Sequence, residues 1–370
     1  MPPSLYTMKK SLLALAVLGA FAGTASAQSS VTIYGVVDMS IARNNCVATA
    51  ANPCAVNAGA PAGDAWTMQQ STTSRLGFRG NEDLGGGLSA QFQIEHRFNP
   101  DTGAQNQTPF WNGRSYVQLT SAAAGSVYLG REYTPAFWVE LKSDPFGNDG
   151  VGQTGVTYLW AGYMTPDSAS GVTTNPQANW PAGGSGRSSN TVGYKTPNFG
   201  GLTANVAVSL AESTGQGRGL GFNAEYAAGP IYAGLGYEKI TGGSADGRGV
   251  VNLAFHYDLG MVKPIFYYAK SKVGAGGNLS NKVYSLAATA PLGNGVLKAG
   301  YTRLSLDSGW GVAEDKLTKL GLGYNYNLSK RTNLYFDLGS ASGAASLATA
   351  APGNKGERST AYAIGLRHQF

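Results

Sequence analysis

Few residues of this chain could make or break a covalent bond. The three histidines, His96, His256 and His368, stand far apart in sequence, with no Ser–acid constellation beside them, and neither a phosphate loop nor a zinc-ligand spacing occurs. What remains is fixed charge. Arg75 and Arg79 alternate with the apolar Leu76 and Phe78, Arg114 precedes the run Ser115, Val117, Leu119, and Arg187 takes the parity opposite to Val192 and Tyr194. Guanidiniums collected on one face set a field across whatever space they line, and a ring of them favours anions. Glu95 and Arg97 share that polar parity and are placed to pair. Arg131 breaks the pattern, since it falls in phase with Val127 and Leu129; either the strand ends there or a bulge re-aims it.

The elements that must position these charges are strands. From Val31 to Phe370 the chain repeats one unit, about ten residues of period-two alternation followed by a turn signal. Leu202, Ala204, Val206, Val208 and Leu210 oppose Thr203, Asn205, Ala207 and Ser209; Leu88, Ala90, Phe92 and Ile94 oppose Ser89, Gln91, Gln93 and Glu95. Short turns at 81–87, 121–125, 197–201, 228–230, 258–261, 291–295 and 328–331 alternate with longer connections at 44–65, 99–112, 134–186, 213–218, 241–247, 273–279, 307–315 and 341–357. These fifteen connections separate sixteen strands, an even number with both ends on one side.

Composition says which solvent the strands meet. Charged residues make up 13% of the chain, against about 25% in a soluble protein, while glycine numbers 53 and tyrosine 20. No stretch reaches the roughly 18 apolar residues of a spanning helix, so a membrane could be crossed only by a closed barrel, which satisfies every backbone group. Tyr226, Phe255, Tyr257, Tyr324 and Tyr326 approach short turns, as an interfacial aromatic girdle requires. Residues 1–27 read as a signal peptide: Lys9 and Lys10, an apolar run over 12–22, and an Ala25-Ser26-Ala27 cleavage site, with Met8 also a natural start. Residues 28–370 are then one domain, with 25 basic and 21 acidic side chains, a balance too even for nucleic acid. Cys46 and Cys54, the only cysteines, share one loop; export to an oxidising compartment favours a disulfide between them, with two free thiols the alternative.

Several stretches resemble the general porins of neisserial and beta-proteobacterial type. They are Ser30-Val-Thr-Ile-Tyr-Gly-Val-Val-Asp38, Ser74-Arg-Leu-Gly-Phe-Arg-Gly-Asn-Glu-Asp-Leu-Gly-Gly-Gly-Leu88, Arg114-Ser-Tyr-Val-Gln-Leu119, Val127-Tyr-Leu-Gly-Arg-Glu-Tyr-Thr-Pro135, Asn190-Thr-Val-Gly-Tyr-Lys-Thr-Pro-Asn-Phe-Gly200 and Gly365-Leu-Arg-His-Gln-Phe370. The resemblance implies a 16-stranded antiparallel transmembrane β-barrel whose long third loop folds into the pore. Asp144-Pro-Phe-Gly147 is similar to the core of that loop, which implies that Glu140, Asp144 and Asp149 stand at the constriction facing a basic wall of Arg75, Arg79, Arg114 and Arg187. Val36 takes an inward site that carries lysine in some enteric porins, so that part of the cluster is missing. Phe370 resembles the terminal signal read by the barrel-assembly machinery. The family further implies a homotrimer in the outer membrane, in contact with lipid and lipopolysaccharide, passing small hydrophilic solutes and inorganic ions, without cofactor or metal.

Two rivals stay open at this stage. A substrate-specific channel, for a sugar for example, would line its lumen with aromatics; the tyrosines here fall mostly on outward parity, while Trp111, Trp138, Trp160 and Trp180 in loops keep the possibility. An adhesin or structural barrel with a plugged pore would not conduct. An outer-membrane enzyme lacks a catalytic set.

Overall fold

Alternating strands with one greasy face close on themselves here. The computed structural model describes residues 30–46, 64–106, 108–154, 186–212, 217–243, 246–273, 278–308, 316–343 and 356–370. The first half of the wall contains β1 (Ser30–Asn44), β2 (Trp66–Gln69), β3 (Arg75–Gly85), β4 (Leu88–Asn99), β5 (Ala104–Gln105), β6 (Ser115–Ser121), β7 (Gly125–Tyr133), β8 (Arg187–Lys195), β9 (Leu202–Ser209) and β10 (Arg218–Ala228). The second half contains β11 (Ile231–Thr241), β12 (Gly249–Tyr257), β13 (Lys263–Val273), β14 (Leu279–Leu292), β15 (Gly295–Ser305), β16 (Lys316–Asn327), β17 (Thr332–Gly343) and β18 (Gly356–Gln369). A helix, α1 (Pro135–Leu141), follows β7.

Every pairing in the wall is antiparallel, and the last strand meets the first, Val36 opposite Gln369 through Asn44 opposite Ala361. β2 and β3 both pair with β1, over Ser40–Arg43 and Ser30–Val36, so they are two parts of one stave interrupted at 70–74. β5 is a two-residue flap beside β4, outside the main ring. The wall therefore has sixteen staves, as the alternation of connections requires. Closure abolishes the sheet edge and satisfies the ladder without water.

The polarity is inside out. Large apolar side chains line the exterior, among them Leu286 at 62% exposure, Ile364 at 61% and Val117 at 54%, whereas inward Asn205, Asn223, Asn252, Ser285, Thr302 and Asp337 are buried. A soluble protein could not carry such a continuous apolar exterior. One departure from strict alternation lies on the inner face of β12–β17, where Val250, Ala254, Val283, Leu304, Leu317 and Ala341 cluster with Ala136 and Val139 of α1. These inward positions are apolar because a docked loop, not water, covers them.

Closure is tight at the first strand. Gly35 and Phe370 exchange both backbone hydrogen bonds, at 3.0 and 3.1 Å. A Cβ on Gly35 would stand 2.4 Å from the Phe370 ring and 2.5 Å from the Arg75 carbonyl oxygen, so only glycine lets the terminal aromatic lie flat across the seam.

Candidate functional site

The segment after β7 turns inward at Thr134, whose amide and hydroxyl both donate to the Gly186 carbonyl at 2.8 and 3.1 Å, pinning the two ends of the long loop together. Pro135 opens α1 at a position where its missing N–H costs nothing. An amide of that first turn, on Ala136, donates to the Glu238 carboxylate at 2.7 Å, while Asn223 and Asn252 donate to the Pro135 and Ala136 carbonyls at 2.9 Å each. Inward side chains of β10, β11 and β12 thus hold the helix end against the inner wall. Gly236 makes room: a Cβ there would lie 2.7 Å from the Ala136 Cα.

The loop continues across the lumen. Ser143 contacts His256 of β12 at 3.1 Å, Phe146 lies 4.5 Å under the Lys298 ammonium of β15, and Thr72, between β2 and β3, donates to Asp149 at 2.9 Å. From α1 to Asp149 the chain has therefore crossed from the β10–β12 wall to the wall formed by β1–β4.

The three predicted loop acids occupy different surroundings. Asp144 is buried as the loop's own knot, accepting from the amides of Phe146, Asn148 and Thr154 and from the Thr154 hydroxyl, at 3.0 to 3.2 Å. Glu140 is buried beneath the loop and accepts from Asn148 at 2.7 Å; burial holds its proton well above the usual carboxylate range. Neither presents a free charge to a passing solute, which revises the expectation of three equivalent acids. Asp149 alone faces the basic wall: burial pushes its pKa up to about 6, against the pull of Arg75 and Arg97.

Opposite stands a cluster of guanidiniums. Arg97 donates to Glu95 from Nη2 at 2.8 Å and Nε at 3.0 Å, so this pair forms as the parity suggested. Arg187 is 2% exposed, bonded to the Tyr133 hydroxyl and 4.1 Å from that ring's centroid; Arg97 reaches the same hydroxyl at 3.3 Å. Arg114 is clamped by Glu132, with Nε to Oε1 at 2.7 Å, and stacks 5.4 Å from the Trp138 ring. Arg75 belongs to the same field, coupled to Glu95, Tyr133 and Asp149. Arg79 stands apart from that group, exposed over the Tyr34 ring at 5.3 Å.

Glu132, Tyr133 and Lys195 are members of the site that the sequence reading did not single out. Glu132 is 0% exposed and also lies 3.5 Å from the Lys195 ammonium. The signal for it was the Arg131 anomaly. β7 runs on through Tyr133, and the irregularity falls on the facing strand, where Thr191 opposes Gly130 but Ser188 opposes Glu132 and Asn190 has a left-handed φ of 55°. Arg131 keeps its outer parity, tied to the Asn112 carbonyl at 3.2 Å and the Ser189 hydroxyl at 2.9 Å, and alternation places Glu132 inward.

Other expectations are placed as follows. Cys46 is disulfide-bonded; Cys54, like Trp160 and Trp180, lies outside the described residues. Residues 1–27 are also outside them. His96 stacks outside the wall on Phe110, 3.9 Å between centroids, and His368 contacts Thr332, so neither histidine faces the lumen. Among the described residues no cluster of three or more metal-ligating side chains occurs.

A sealed ring of strands, apolar outside and charged inside, with a loop laid across its bore, defines a β-barrel channel of the bacterial outer membrane. The Gram-negative porin family profile matches residues 14–346, and the chain belongs to that family. It is 34% identical to an outer membrane porin, protein 32, of Delftia acidovorans over 98% of this chain and 100% of that relative. It is 29% identical to an outer membrane porin of Bordetella pertussis over the same shares. Among solved structures, the anion-selective porin from Comamonas acidovorans superposes with a TM-score of 0.71 at 30% identity, covering 93% of this chain and 100% of that one. This protein is a porin of the cell outer membrane.

Proposed function

We propose that this porin is a general diffusion channel for small hydrophilic solutes and ions, with a weak preference for anions set by Arg75, Arg97, Arg114 and Arg187. The observation that carries the reading is the imbalance at the constriction. Glu95 and Glu132 are each committed to an arginine, and across the bore Asp144 and Glu140 are absorbed by the loop, which leaves Asp149 as the opposing acid. Such an arrangement orients a solute's dipole and lowers the barrier for anions more than for cations. The solved relative described as anion-selective supports the same sign.

Replacing both Arg75 and Arg114 by Gln tests it. The chloride-to-potassium permeability ratio in planar bilayers falls to near unity; an unchanged ratio removes these arginines as the source. Neutral sugars of graded size separate the substrate-specific alternative, because general diffusion gives uptake that declines with size and does not saturate. Saturable uptake of one sugar would favour a dedicated site. We further propose a homotrimer in the membrane, removal of residues 1–27 on export, a Cys46–Cys54 bridge, and Phe370 as the assembly signal, on the strength of the family resemblance and the oxidised Cys46.

A further inference from the structure

One arginine of the inner face takes no part in the constriction. Arg79 lies four residues beyond Arg75 on β3, about 13 Å further toward the short-turn rim. It is exposed, with its guanidinium 5.3 Å from the centroid of the Tyr34 ring. That ring lies flat on the wall because Gly77 beneath it has no side chain: a Cβ there would stand 2.2 Å from the Tyr34 Cζ. Among the described residues Arg79 has no ion pair with a carboxylate. Glu95, on the neighbouring strand, is taken by Arg97, and Asp83, further along β3, accepts from the Gly85 amide at 2.9 Å.

The neighbours of Arg79 are amides and phenols. Register sets Gln93 of β4 directly opposite Arg79 and Tyr116 of β6 directly opposite Gln93, and the next inward rung pairs Gln91 with Gln118. The Gln93 side chain is held between two hydroxyls, donating to Tyr34 at 2.6 Å and accepting from Tyr116 at 3.2 Å, and Gln118 donates to Gln91 at 3.0 Å. These bonds orient the amides yet leave one N–H of Gln93 and both of Gln91 without an acceptor among the described residues. Gln91, Gln93, Tyr116 and Gln118 are all half-buried, whereas the docked loop covers the inner face of β12–β17, so a solute on the short-turn side of the constriction meets this wall. What satisfies it is an acid that also carries hydroxyls. A bare anion would use the guanidinium alone, a neutral sugar would leave it without a partner, and a hydrocarbon acid would strand the amide N–H groups. Gln91 stands diagonally across the ladder from Arg79, about 7–8 Å away, close to the length of a six-membered sugar ring bearing a carboxylate. The negative face of Tyr116 suits the C–H face of such a ring.

We propose that the inner faces of β3, β4 and β6, on the short-turn side of the constriction, form a subsite for a monosaccharide acid of the uronate class, its carboxylate on Arg79 and its hydroxyls on the N–H groups of Gln91 and Gln93. Such a subsite rests on the reading of the bore as an open, anion-preferring channel. The test is the conductance of the full channel in a planar bilayer at fixed potassium chloride, titrated with glucuronate, glucose or cyclohexanecarboxylate. Glucose shares the hydroxylated ring and lacks the charge; cyclohexanecarboxylate shares the charge and lacks the hydroxyls. Glucuronate lowers the conductance along a saturating curve, and its half-blocking concentration lies about ten-fold or more below those of the other two. Arg79→Gln raises that concentration about ten-fold. Gln91→Ala/Gln93→Ala raises it about five-fold and leaves the weak effect of cyclohexanecarboxylate as it was. Equal block by either control, a glucuronate effect that never saturates, or block unaltered in both variants would each overturn the subsite. Should the double variant fail to fold, the three ligands on the native channel decide alone. The reversal potential in potassium chloride separates the two failures: a shift toward the potassium value removes the anion-preferring reading, whereas an anion-preferring channel that all three ligands block alike loses the subsite only.

Discussion

At Asp149, burial and two guanidiniums pull in opposite directions, and burial prevails, lifting the pKa to about 6. The carboxylate is charged at pH 7.5 and largely neutral at pH 5, so acidification removes the acid that faces Arg75 and Arg97. Anion preference therefore rises as pH falls through 6, and reversal potentials recorded at pH 7.5 and pH 5 report the change. In Asp149→Asn the value at pH 7.5 moves toward the native acidic limit, and the change between the two pH values is smaller than in the native channel. The inward parity of Arg75 and Arg114 was legible from alternation, since a one-residue slip would send each into lipid. The different states of Glu140, Asp144 and Asp149 were not legible, because they depend on which loop amides and wall hydroxyls happen to reach each carboxylate, and no periodicity encodes that. Glu132 lay between, readable in principle by counting through the Arg131 anomaly.

At the scale of elements, the loop after β7 is held by its own knot and by the wall. Replacing Asp144 by Ala leaves the amides of Phe146, Asn148 and Thr154 without their acceptor, a loss of about 1–3 kcal/mol for each group left buried and unpaired. The loop then samples other positions, and single-channel records show larger and noisier conductance with the barrel intact by circular dichroism. Gly236→Val acts from the wall side, since its side chain would need the space of the Ala136 backbone; overpacking of this kind costs about 1–3 kcal/mol and displaces α1. A conductance indistinguishable from the native channel in both variants would mean that the loop does not narrow the bore. The length of the 134–186 connection pointed to a functional segment, and the resemblance pointed inward. The apolar patch on the inner face of β12–β17 that receives it was invisible, because a lumen-facing valine and a misplaced one look alike until the loop is seen to cover it.

For the whole molecule, number and direction of strands followed from alternating turn lengths, and the sixteen staves agree. The split of one stave into β2 and β3 and the β5 flap did not follow, since both are local breaks in hydrogen bonding that leave the hydrophobic period unchanged. Closure concentrates at the seam where Phe370 lies over Gly35. Gly35→Val drives a side chain into that ring and the Arg75 carbonyl, and the yield of folded barrel from refolding falls while Gly86→Ala, in an open turn, has a far smaller effect.

The central claim is that an open, water-filled bore passes ions under the control of an arginine cluster only partly balanced by one loop acid. The most direct measurement is the reversal potential of the native channel in a planar bilayer under a tenfold potassium chloride gradient at pH 7.5. The account predicts stepwise conductance with a reversal potential displaced toward the chloride equilibrium value. A closed membrane, or a displacement toward the potassium value, would contradict it.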